Sequence, residues 1–179
     1  MEGYKKAGDS LFYSSNVTGS GIKEYELVYP MIFSYRHYIE LQLKEIILNA
    51  RAFLDISEKF PVGHNIEIMW GKCGELLKKM DGILDPEFTA SDKYKEIQKA
   101  YDELEADLKM FWELDPDSKS FRYPVNEHGN PISIDFKDID FNSLKETLNR
   151  IYGQLDTISV GVYDILGKKH EGLAFEQSS

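Results

Sequence analysis

Cysteine occurs once in the chain, at Cys73, so no internal disulfide can form, and a reducing, cytoplasmic setting is expected. Histidine is almost as scarce. Its four copies are dispersed, with neither a paired-cysteine nor a His-Glu-x-x-His spacing, so no metal site is expected. There is also no glycine-rich phosphate loop and no nucleophile elbow, so no cofactor is expected and most standard enzyme classes lose support. No apolar run approaches the roughly 18 to 20 residues of a membrane span. The opening Met1-Glu2-Gly3-Tyr4-Lys5-Lys6 lacks the apolar centre of a signal peptide, so no membrane partner is expected. Basic residues are in deficit, and a net charge of −10 gives an average field that repels phosphate backbones. No composition shift, internal repeat or low-complexity tract divides the chain. One domain over residues 1–179 is expected, with a loosely ordered segment at 1–21 and a flexible tail at 170–179.

What is present is helical periodicity. Leu144, Leu148, Ile151, Leu155, Ile158, Val162 and Ile165 recur at steps of four and three, which predicts one apolar helix face. A capping-box start at Ser143 and Glu146, with a stop at Gly167, bounds that helix at about Asn142 to Leu166. Tyr94, Ile97, Tyr101, Leu104, Leu108 and Phe111 predict a second helix from Ser91 to Leu114, broken by Asp115-Pro116-Asp117. A third, from His64 to about Ile83, presents Ile66, Met69, Trp70, Cys73, Leu77, Met80 and Leu84, with Gly71 and Gly74 allowing a neighbour to approach closely. The longest segment, Ile22 to Asp55, is apolar on more than half its circumference around Ile39 to Leu48 and is expected to be the buried central helix, with Pro30 as a kink or first turn. A short helix over Tyr4 to Phe12, then a loop, fits the start of the chain.

Between the last two helices the period changes to two. Phe121, Tyr123 and Val125 alternate with polar residues, Asn126 to Asn130 is turn-like, and Ile132, Ile134 and Phe136 alternate again. This predicts a small β-hairpin packed on the bundle. The expected fold is therefore all-α: a four- to five-helix up-down bundle with a small β-hairpin inserted before the last long helix.

Two groups of residues are of chemical interest. Arg36, Glu40 and Lys44 share one helix face at i,i+4 spacing, with His37 beside them. They form either a pocket wall for an anionic ligand or phosphodiester, with Glu40 orienting a cation, or an internal ion ladder that fixes helix register; arginine and glutamate on one face are commonly the latter. His64, at the expected start of a helix, is a cap for backbone N–H groups, a hydrogen-bond partner of the preceding helix, or a catalytic base. The second group is Arg122 and His128. Histidine as general acid or base and arginine as stabiliser of a charged phosphorane are the parts an RNA-cleaving site needs. The hairpin pattern places Arg122 on a strand and His128 in the turn, which equally fits a structural arginine and a solvated histidine.

Arg36-His37-Tyr38-Ile39-Glu40-Leu41-Gln42-Leu43-Lys44, Gly63-His64-Asn65-Ile66 and Arg122-Tyr123-Pro124 together resemble the pattern of the HEPN-like helical superfamily, over about residues 25 to 166. That resemblance implies a dimeric bundle of four or five helices of the kind found in bacterial toxin–antitoxin and antiphage systems. Many members are metal-independent ribonucleases with an Arg, four to six residues, then His; Arg122 and His128 match that spacing, though in the family the motif lies in a helical region. Other members lack the motif and act as non-catalytic partners or nucleotide-binding modules. The expected function is accordingly a non-catalytic module, a homodimer that binds a nucleotide or a protein partner such as a nucleotidyltransferase or nuclease. The alternative is a metal-independent endoribonuclease with Arg122 and His128, or Arg36 with His37 and His64, as catalytic residues and RNA as substrate.

Overall fold

In a computed structural model, the described residues are 1–17, 25–60, 63–114, 128–129 and 141–176. Every element among them is helical: α1 (Glu2–Val17), α2 (Tyr25–Phe53), α3 (Ile66–Asp81), α4 (Pro86–Thr89), α5 (Asp92–Leu114) and α6 (Phe141–Glu176). The apolar stripes become the core as their spacing requires. Leu43, Ile46, Ile47 and Ala50 of α2 are fully buried, as are Leu104 and Leu108 of α5 and Leu155, Ile158 and Val162 of α6. Burying each of these Leu, Ile or Val side chains contributes roughly 1.5–3 kcal/mol. The central helix α2 packs against α1, α3 and α6, while α5 packs against α6 and α3; α2, α3, α5 and α6 share one core, to which α1 adds Phe12.

The chain directions depart from a simple up-down order. Arg36 meets His64 and Leu43 meets Cys73, so α3 climbs in the same sense as α2. Contacts of Tyr38 with Tyr152 and of Glu45 with Ser159 make α6 parallel to α2 as well. Pairings of Lys93 with Asp164 and of Arg150 with Asp107 set α5 antiparallel to α6. The connection over residues 54–65 makes the parallel α2–α3 pair feasible: twelve residues reach up to about 40 Å when extended. The chain thereby returns to the middle of α2 before α3 begins.

Helix α2 ends in a Schellman arrangement. The N–H of Ile56 bonds the carbonyl of Arg51 and the N–H of Asp55 that of Ala52, with Asp55 at φ 54° in the left-handed position usually given to glycine. Asp85 accepts the N–H of Glu87 and Pro86 takes the first helical position, and together they start the four-residue α4.

Several expectations require correction. The N-terminal segment is helical from Glu2 to Val17, well beyond Tyr4 to Phe12. Of the two places expected for Pro30 only the first turn is overturned: it lies inside α2, in its second turn. Gly167 does not stop α6, which continues to Glu176. A single helical glycine costs only about 1 kcal/mol relative to alanine. Just beyond it, Lys169 is anchored to the Phe53 carbonyl and the Asp55 carboxylate at the end of α2. The hairpin expected over Phe121 to Phe136 lies outside the described residues except for His128 and Gly129, which form part of a turn. No strand occurs among the described residues, and none of their helices is long and apolar enough to cross a membrane.

Candidate functional site

The charged ladder on α2 converges on Glu40. Arg36, His37, Glu40 and Lys44 project from successive turns, and the return loop delivers His64 to the same carboxylate. Gly63 makes that delivery feasible, because its φ of 154° is rarely adopted by residues with a side chain. Lys44 Nζ donates to Glu40 Oε1 at 2.7 Å and His64 Nδ1 lies 2.8 Å from the same oxygen. Arg36 reaches Glu40 Oε2 at 3.4 Å and donates to the His64 carbonyl at 2.8 Å. His37 Nδ1 stands 4.0 Å from Glu40 Oε2, with its ring edge-on to Tyr4 of α1 and stacked on Phe33.

Exposure separates the members. Arg36 and Glu40 are each 1% exposed. The side chain of His64 is 51% exposed and that of Lys44 26%. Burial pushes the Glu40 carboxyl up, but the hydrogen bonds from Lys44 and His64 outweigh it and hold the group below the usual carboxylate range, so Glu40 is an anion at neutral pH. With Glu40 ionised, His64 Nδ1–H is the donor, and in the neutral ring Nε2 is the acceptor. Chemically the arrangement offers a half-exposed histidine oriented by a buried carboxylate. The arginine that a phosphodiester would need is sealed behind it and bonded to backbone.

All five residues grouped from the sequence therefore meet. The capping role falls elsewhere: Asn65, not His64, is the N-cap of α3, its side chain accepting the N–H of Ile68. A histidine held by Glu40 cannot turn to the helix start, and asparagine is among the strongest N-caps. His128 is exposed in a turn, while Arg122 lies outside the described residues. Among the described residues no group of three or more His, Cys, Asp or Glu side chains is placed to hold a metal ion.

A second cluster joins α1, α2 and α6. Asp9 of α1 accepts hydrogen bonds from Lys5 at 2.8 Å, from the Tyr35 hydroxyl at 2.6 Å and from Lys145 of α6. The Lys145 ammonium also lies within 6 Å of the ring centres of Phe12, Tyr13 and Tyr35, an aromatic cage filled by the chain's own cation. Burial pushes the Asp9 carboxyl up, but bonds from Lys145, Lys5 and Tyr35 prevail and bring it down to about 2. Only the i,i+4 spacing of Lys5 and Asp9 was visible in the sequence; their partners lie 26 or more positions away.

No protein-family model matches the chain, and no solved structure matches it. A GMP synthase (glutamine-hydrolyzing) of Halothermothrix orenii is 27% identical over 110 residues, covering 59% of this chain and 21% of that protein. The chain thus spans about a fifth of the length of the curated relative it matches.

Proposed function

We propose that the chain is a non-catalytic HEPN-like helical module that binds a nucleotide or a protein partner, acting as a homodimer in a cytoplasmic bacterial defence or toxin–antitoxin setting. The observation that carries the non-catalytic half of this reading is the burial of Arg36 and Glu40, each 1% exposed and each bonded within the chain. A cation so enclosed holds helices in register and cannot stabilise a phosphorane on a bound RNA. The nucleotide half draws support from the partial likeness to a GMP synthase, a protein whose name states a nucleotide product. A nucleotidyltransferase or nuclease is the class of protein partner that the HEPN resemblance suggests.

The test is incubation of the purified protein with total RNA in EDTA, beside the Arg122→Ala and His128→Ala variants. Intact RNA in every lane is the expected result. Cleavage by the parent protein that either substitution abolishes would overturn the proposal in favour of the metal-independent endoribonuclease, because general acid–base chemistry depends on that pair.

A further inference from the structure

About 20 Å along α2 from Glu40, a cavity of about 350 Å³ opens where the end of α2, the α3–α4 turn, α4 and α6 meet. Its walls are the apolar side chains of Phe53, Ile83, Leu84, Phe88 and Ile165. Ile83, at 66% exposure, keeps a large apolar surface in water. The volume lies within the range of small-ligand sites and equals about a dozen waters.

The charges around the cavity are unequal. Lys169 lines it but is already committed to the Phe53 carbonyl and the Asp55 carboxylate, which fasten α6 to the end of α2. Asp85 also lines it, with one oxygen accepting the N–H of Glu87. Lys168 is different: its ammonium lies 4.7 Å from the centre of the Phe88 ring and forms no ion pair among the described residues. Most lysines among the described residues have a carboxylate partner, as a chain of net charge −10 readily supplies. A lysine left without one, at the edge of an apolar cavity, provides a single positive charge.

We infer that this cavity binds a small monocarboxylate of about ten heavy atoms in all, its carboxylate on Lys168 and its apolar tail against Phe53, Phe88 and Ile165. A monoanion matches one uncommitted ammonium. A dianion would need a second cation and would meet Asp85. The site is separate from the Glu40 cluster and does not depend on the function proposed above.

Isothermal titration of the full chain with octanoate, octyl phosphate, octylamine and 1-octanol provides the test. Octanoate is expected to bind saturably at one per chain and more tightly than the other three. Lys168→Glu should weaken it at least about tenfold, and Lys168→Gln should weaken it by less. Lys168 is exposed, so both variants are expected to fold, as circular dichroism would verify. The inference fails if octylamine or octanol binds as well as octanoate, if octyl phosphate binds more tightly, if Lys168→Glu binds octanoate unchanged, or if octanoate shows no saturable binding in the millimolar range.

Discussion

Asp9 keeps its charge where a carboxyl group has little water, its side chain 22% exposed, because Lys145, Lys5 and Tyr35 all donate to it. Its folded value of about 2 lies below the roughly 3.9 of an unfolded aspartate. The stabilisation is therefore fully present above about pH 4 and lost as pH falls towards 2. Asp9→Asn is expected to lower stability at neutral pH by about 1 kcal/mol, allowing for partial solvent screening. In urea titrations across pH, that deficit should shrink as the parent protein is acidified through this window. A deficit that does not change with pH would show that shape rather than charge holds α1 to α2 and α6. Glu40 follows the same sign, its lowered value adding stability above the ordinary glutamate range.

At the level of helices, glycines that look alike in the sequence do opposite things. A Cβ at Gly161 of α6 would meet Ile97 of α5 at 2.3 Å, whereas one at Gly71 of α3 would meet nothing within 4 Å. Gly161→Ala should therefore cost about 1–3 kcal/mol by forcing apart a packed pair of helices. Gly71→Ala should add roughly 0.5–1 kcal/mol by restricting the unfolded chain and improving helix propensity. Thermal melts will distinguish them, each kcal/mol moving Tm by about 2–4 °C in a chain of this size. The same contrast marks how far the sequence could be read. Its stripes identified which side of α3, α5 and α6 is buried, since that depends only on a period of 3.6. They could not show that Gly74 faces Tyr101 while Gly71 faces solvent, or that α3 runs parallel to α2. Those facts depend on the neighbour, and a helix face does not name its neighbour. Helix α4 was not among the expected elements: Asp85-Pro86-Glu87 is a cap followed by a first-turn proline, but the helix is too short to show a period.

For the molecule as a whole, the account depends on what the ladder Arg36, Glu40, Lys44 and His64 is for. Its spacing on α2 was legible, as was a hydrogen bond from His64 to the preceding helix, but not that Glu40 is the partner, because that contact forms only once the 54–65 connection has returned the chain along α2. In the folded chain it joins α2 to the start of α3 through a buried carboxylate and a buried guanidinium, a pair that stabilises only while both partners remain. The most direct test is equilibrium urea unfolding of Glu40→Ala at neutral pH, followed by circular dichroism. A loss of about 3 kcal/mol is expected, because the buried Arg36 would lose the Glu40 carboxylate and Lys44 and His64 would lose their shared acceptor, and the double change Arg36→Met with Glu40→Leu should recover much of it. A Glu40→Ala protein as stable as its parent would contradict the account and return the cluster to the reading in which its charges serve a ligand.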